Sequence, residues 1–231
     1  MRLLSAGSGG KVAHGPVHHP VFARYYARFS VGAESRLGLA DVRTRLLAGL
    51  SGRVIEIGAG NGLNFGRYPG TVSEVVAIEP EPLLRQLAVE SAVHAQIPVD
   101  VVPGAAEALP VKSEAFDAAV LSLVLCSVRD VSRALSEVRR VLKPGGQVRF
   151  FEHGRGGGRV MTLTQRTLDR TVWPGLAGGC HVARDPVAAL RDAGFELGPL
   201  RRLLVPEKGP ALPMSYCTLG TAWRPAEPAR R

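Results

Sequence analysis

The chain has 231 residues, 45% of them hydrophobic, and a net charge of +9. That size and apolar content fit one folded domain with a sizeable core, while no apolar run approaches the roughly 20 residues that span a bilayer and 1–20 has no apolar signal core. The basic excess is almost all Arg, spread along the chain without an aromatic-studded basic stretch, so no nucleic-acid partner is expected.

Residues 1–20, rich in Gly and His, read as a flexible leader. In 21–29, Phe22, Tyr25, Tyr26 and Phe29 follow i, i+3, i+4, i+7 spacing, which predicts one shared helical face. That face either packs against a sheet or closes over a ligand as a lid. A second helix is expected over 34–50, delivering a first strand at 53–57. Within that strand Glu56 is an acid among apolar residues, costly unless it finds a partner. Gly58, Gly60 and Gly62 follow, a turn that lets backbone approach a nucleoside-type ligand with no Cβ in between. A second strand at 75–78 ends in Glu79, placed to accept hydrogen bonds from ribose hydroxyls.

Further strands are expected at 99–102, 116–123 and 147–151. Between them lie helices over 83–93, starting after Pro80 and Pro82, and over 131–142, with Asp130 as N-cap and Pro144-Gly145-Gly146 as the stop. This alternation predicts an α/β fold: a Rossmann-like, mostly parallel seven-stranded sheet with helices on both faces. After the fifth strand come a glycine loop at 154–158, an amphipathic helix over 161–172 ended by Trp173-Pro174-Gly175, a helix over 185–193, and an antiparallel hairpin at 195–205 and 214–223. The domain plan is a leader (1–20), a single domain over 21–223 and a flexible tail over 224–231. Within the domain, lid helices occupy 21–50, a cofactor-binding core 51–155, and a substrate-side insertion with the hairpin 156–223.

Cys126, Cys180 and Cys217 form no Cys-x-x-Cys pair, which argues against a disulfide framework and suits a reducing cytoplasm. Adjacent residues such as Cys180 and His181 rarely bind one ion together, and no second ligand pair has suitable spacing, so no metal is expected.

A dinucleotide fingerprint would place its third glycine at 63, which is Leu63. The Gly-x-Gly-x-Gly turn after an acid instead resembles motif I of the class I S-adenosylmethionine (SAM) methyltransferases. Gly104-Ala105-Ala106-Glu107-Ala108-Leu109-Pro110 resembles their adenine loop, Phe116-Asp117 the opening of their fourth strand, and Arg140-Val141-Leu142-Lys143-Pro144-Gly145-Gly146 their connector to the fifth. The resemblance covers about 50–155. Gly62-Leu63-Asn64-Phe65 with Tyr68-Pro69, the run 123–128, Phe151-Glu152-His153 and Gly179-Cys180-His181 are similar to a subgroup related to mammalian alkyl-thiol methyltransferases. They are more distantly similar to ubiquinone/menaquinone-pathway enzymes.

The resemblance implies SAM as cofactor, S-adenosyl-L-homocysteine as product and a small, partly apolar methyl acceptor, a thiol favoured. RNA methylation and non-catalytic SAM binding are the alternatives. It implies backbone contacts from Gly58, Ala59, Gly60 and Gly62 to the methionine moiety, with Glu56 near its ammonium. Glu79 and Pro80 would border the ribose, Ala106 and Glu107 the adenine, and Ser122 and Leu123 the cleft. The usual adenine-loop Asp is Ala105 here, so Glu107 or the Ala106 backbone would replace it. On the acceptor side the candidates are Tyr25, Tyr26, Cys126, His181 and His153, the last as a general base. The mammalian relatives of this subgroup carry an N-terminal membrane anchor, which is not seen in 1–20. The oligomeric state is left open.

Overall fold

The computed structural model describes residues 19–226; most of the leader expected at 1–20 and residues 227–231 of the expected tail lie outside them, whereas Arg224, expected in the flexible tail, is held at the sheet edge, its N–H donating to the Gly146 carbonyl at 2.8 Å and its guanidinium to the Leu142 carbonyl at 2.6 Å. The described chain runs α1 (Pro20–Arg36), α2 (Leu39–Leu47), β1 (Gly52–Ile57), β2 (Val72–Ile78), α3 (Pro82–Ala92), β3 (Val99–Val102), β4 (Phe116–Ser122), α4 (Val131–Val141) and β5 (Leu142–His153). It continues through α5 (Arg159–Arg170), α6 (Trp173–Leu176), α7 (Pro186–Asp192), β6 (Glu196–Leu204) and β7 (Tyr216–Trp223).

The seven strands form one sheet in the order β3-β2-β1-β4-β5-β7-β6. The first five are parallel to one another, and β7 is antiparallel to both β5 and β6. The chain builds outward from β1 to β3, then returns to the other side of β1 with β4. The strand order therefore reverses between β1 and β4, the switch point at whose carboxyl edge open α/β sheets bind their ligands.

Strand periodicity divides the core in two. Ile55, Ile57, Leu121 and Phe150 face Leu135 and Val138 of α4 and Leu190 of α7. Their neighbours Val54, Val120 and Phe151 face the other way, onto Leu46 and Leu47 of α2 and Ala88 of α3. Because successive strand residues point to opposite faces, the near-continuous apolar runs of β1, β2 and β4 are what a sheet covered on both sides requires. None of the described helices is long and apolar enough to cross a membrane.

Three local differences from expectation have physical causes. Glu34 belongs to α1, because the break between the first two helices falls at Gly38, whose φ of 70° is left-handed. Trp173-Pro174-Gly175 does not end α5; it makes a short helix of its own, with Pro at its tolerated start. The connector 143–146 is carried within β5, and regular pairing with β4 resumes only at Gln147 opposite Ala118. The N-cap of α4 follows expectation, Asp130 accepting from the Arg133 N–H at 2.9 Å, whereas the helix ends at Val141, where Leu142 turns extended ahead of Pro144-Gly145-Gly146.

Candidate functional site

The glycine turn leaves the tip of β1 at the reversal point. Gly58, Gly60 and Gly62 have φ of 68°, 59° and 80°. A Cβ on Gly58 would lie 2.7 Å from the Val124 side chain, so the loop after β4 closes on the turn only because a glycine stands there. At Gly60 a Cβ would meet the half-buried Tyr26 ring at 3.4 Å, which places α1 over the turn. Glu79, at the tip of β2, accepts from the Gly60 N–H at 2.8 Å and the Glu81 N–H at 2.9 Å. Burial pushes its carboxyl up to about 7, with those two N–H groups pulling the other way. Pro80 follows it, its carbonyl held by Arg85 at 3.0 Å.

Glu56 finds the partners its position demands. Asn64 Nδ2 and the Tyr68 hydroxyl each donate to it at 2.7 Å, and only 1% of the residue is exposed. Both its oxygens are thus engaged by the segment after the turn. Asn64 connects in turn to Arg43 of α2, which the sequence reading missed. The Arg43 guanidinium donates to Glu34 at 2.8 Å, to Asn64 Oδ1 at 3.1 Å and to the Ser122 hydroxyl at 3.0 Å. It therefore ties α1, the turn segment and the tip of β4 together. Its signal was present: Arg43 shares the stripe of Leu46, Leu47 and Leu50, where a cation is not expected without partners.

Beyond Ser122, Leu123 adopts φ 60°. A left-handed residue with a Cβ is uncommon and is held only where surroundings over-determine it. The surroundings include Glu152, fully buried at the end of β5. It accepts from the N–H groups of Val124 at 2.8 Å, Leu125 at 2.9 Å and Cys126 at 3.4 Å. Burial raises its carboxyl to about 7. Glu152, read in the sequence only within the 151–153 run, lies one residue beyond the strand expected at 147–151; because β5 runs on to His153, it is, like Glu56, an acid within an apolar strand. In the loop after β3, Ala106 is buried in the core, and Glu107 turns to the start of α4, accepting from the Arg129 N–H at 2.9 Å.

The four aromatic residues of α1 do not share one environment. Phe22 and Tyr26 stack at 5.7 Å on the inner side, Phe22 lying against Gly178. Tyr25 and Phe29 stack at 4.7 Å on the outside, Tyr25 being 62% exposed. A stripe with this spacing spans a wide arc, about 100° per residue, and only its Phe22–Tyr26 edge fits over the turn. Tyr25, expected among the acceptor-side candidates, therefore faces solvent.

His153 is half-buried, and its Nδ1 lies 3.4 Å from Cys180 Sγ. With Cys126 Sγ these form a group whose three atoms all lie within 4.8 Å of one another. Burial works to lower the His153 pKa, but the adjacent Cys126 sulfur, with Glu152 and Asp169, raises it above the ordinary value. The Cys180 side chain, then burial, drives the Cys126 thiol well upward. His181 stands apart: its ring nitrogen is 2.8 Å from the Gly179 carbonyl, and its backbone N–H donates to the Cys126 carbonyl at 2.7 Å. Cys180 is thus paired with distant residues, not with its neighbour in sequence. Cys126 and His153 also line a cavity of about 160 Å³ with Leu125, Arg184 and Pro186.

Comparison with known proteins bears on this geometry. Residues 55–150 match the family model for a methyltransferase domain. Thiol S-methyltransferase TMT1B of Rattus norvegicus is 34% identical over 155 residues, 64% of this chain and 63% of that protein. Thiol S-methyltransferase TMT1A of Homo sapiens is 34% identical over 165 residues, 69% of this chain and 67% of its own length. The match thus spans somewhat less than two thirds of the TMT1B relative. Among solved structures, a SAM-dependent methyltransferase from Thermotoga maritima superposes with a TM-score of 0.65 at 23% identity, over 88% of this chain and 98% of that one, and shows the same fold.

Proposed function

Because this chain belongs to the class I SAM-dependent methyltransferases, we propose that it transfers a methyl group from SAM to a small, partly apolar acceptor, a thiol favoured. The observation that carries the proposal is the glycine turn set against Glu79 at the reversal point of the sheet, with Tyr26 closing over it. The residues fit this cofactor. Asn61, inside the turn, has a buried Oδ1 with no hydrogen-bond partner, an acceptor suited to an ammonium group. Glu79 presents a carboxylate to ribose hydroxyls, and the backbone of Gly58, Ala59, Gly60 and Gly62 borders the methionine moiety, between the Val124, Tyr26 and Phe65 side chains.

SAM when bound supplies a methyl group already activated on a sulfonium. What is left for the protein is alignment and exclusion of water. Tyr26 and Phe22 cover the turn, and α1 with α2 serve as a lid fixed through Arg43. Ser122 and Leu123 line the cleft between β1 and β4. Glu56, its two oxygens engaged, sustains the turn through Asn64 and Tyr68, and the ammonium contact expected of it passes to Asn61. Ala106 and Glu107 border the adenine. The acceptor side is built from 156–223 together with Cys126, His153 and His181, and His153 is the catalytic candidate. A thiol is preferred because the relatives compared above are thiol S-methyltransferases. With no disulfide among the described residues, a cytoplasmic setting is the matching proposal.

The test is a methyl-acceptor assay with labelled SAM, offering alkyl and aryl thiols beside total RNA. Labelled thioether is the expected product. Label found only in RNA refutes the small-molecule reading, and SAM binding without turnover on any acceptor makes the chain a binding protein.

A further inference from the structure

The group formed by Cys126, His153 and Cys180 comes from three separate parts of the chain: the loop after β4, the end of β5 and the loop after α6. All three side chains carry soft or borderline donors, and their ligand atoms lie within 4.8 Å of one another. Two such atoms bound to one tetrahedral zinc ion, at sulfur and nitrogen distances of about 2.3 and 2.05 Å, stand about 3.5 Å apart. The Cys180 Sγ to His153 Nδ1 separation is 3.4 Å.

The supports of this group are more extensive than packing alone calls for. Glu152 gathers three successive N–H groups and so sets the backbone of the Cys126 loop. The His181 N–H binds the Cys126 carbonyl, and Arg184 donates to the Leu125 and Val128 carbonyls at 2.6 and 2.7 Å, lacing the second cysteine loop to the first. Asp169 accepts from the N–H groups of Val182 and Ala183 at 2.7 and 2.9 Å, holding that second loop from its far side. Donors fixed in this way bind an ion without first being ordered. Two thiolates and a neutral imidazole balance the charge of a divalent ion, which suits the buried sulfurs. Among the described residues the group offers three protein ligands and no fourth, the pattern of a site that keeps a position open for exchange. Cys126 and His153 both border the 160 Å³ cavity, which gives that position a way in.

We propose that Cys126, His153 and Cys180 hold one zinc ion, with a fourth position that takes the sulfur of the acceptor; the second half rests on the thiol reading above. A thiol that coordinates there gives its proton to solvent and is held as the thiolate, the form with a free lone pair for methylation. No separate general base is then required, and His153 acts as a ligand.

The full chain, kept reduced with a phosphine and stripped with a chelator, is titrated with Zn²⁺ against a chromophoric competitor, and with Co²⁺ followed by absorbance. One ion per chain is expected, with a thiolate-to-cobalt charge-transfer band and ligand-field bands of tetrahedral intensity. Cys126→Ser, Cys180→Ser and His153→Ala should each weaken Zn²⁺ binding roughly tenfold or more. Cys217→Ser, at a buried position in β7 outside the group, should leave it unchanged. A folded wild type that takes up no stoichiometric ion, or uptake that survives all three substitutions, overturns the site. Ethanethiol added to the Co²⁺ form should shift the ligand-field bands; an unchanged spectrum removes the acceptor from the fourth position. A chain that binds the ion but methylates no thiol keeps the site and loses the thiol reading, whereas thiol methylation by a chain that binds no ion does the reverse.

Discussion

At Gly60 two demands meet in one residue: a φ of 59° and an approach space bounded by the Tyr26 ring. Gly60→Val places a branched side chain in a left-handed conformation and fills that space. SAM binding should be lost in calorimetry while a circular-dichroism melt still shows a folded chain; affinity equal to wild type would show that the turn does not face the cofactor. Glu79 makes a different kind of demand. Its loss in Glu79→Ala should weaken SAM by about 1.5–3 kcal/mol, the worth of a hydrogen bond to a charged group. Its titration adds a second readout. An unfolded chain releases this proton near the ordinary value of 4.5 and the folded protein near about 7. Between those values the folded state holds more protons, so the stability of the cofactor-free protein should fall as pH rises through that window and level off above it. In the ribose role proposed for it, the ionised carboxylate accepts from hydroxyls, so SAM affinity should rise over the same interval. Calorimetry at several pH values checks this, and a flat profile in wild type would exclude the ribose role.

Besides the packing of Leu46 and Leu47 on the strands, a buried cation ties α1 and α2 to the sheet. Arg43 is 5% exposed and shares hydrogen bonds with Glu34, Asn64 and Ser122. Arg43→Met should destabilise the chain by about 3–5 kcal/mol in urea unfolding, because it strands a buried carboxylate. Glu34 also faces Arg67 at 3.2 Å, so Arg43→Met with Glu34→Gln should recover part of the loss rather than all of it. Additive losses would mean that the two side chains do not act as a pair. This element was legible as a helix from its apolar stripe, but its function as an anchor was not. Side-chain partners of Arg43 lie 9, 21 and 79 positions away, beyond any local pattern. The aromatic stripe of α1 shows the same limit: spacing put four rings on one arc, and packing decided that Tyr26 faces the turn and Tyr25 faces water.

At the scale of the whole sheet, β7 is wedged antiparallel between β5 and β6, and Gly220 is the point where it fits. Gly220 stands opposite both Phe150 and Leu200, and a Cβ there would fall 2.6 Å from each side chain. Gly220→Val should cost about 1–3 kcal/mol by overpacking, read as a lowered urea midpoint; a midpoint equal to wild type would mean that this corner of the sheet is loose. The alternation of strands and helices, the glycine turn and the acid at the tip of β2 were all readable in the chain itself. Each is a short-range matter: the side-chain period of a strand or helix and the missing Cβ of a glycine act over a few residues. The convergence of Cys126, His153 and Cys180, the capture of the β4 loop by Glu152 and the anchoring through Arg43 were decided only when the strands took their places. Such contacts join residues whose separation along the chain carries no information about their distance in space, and it is burial against the sheet that brings them together.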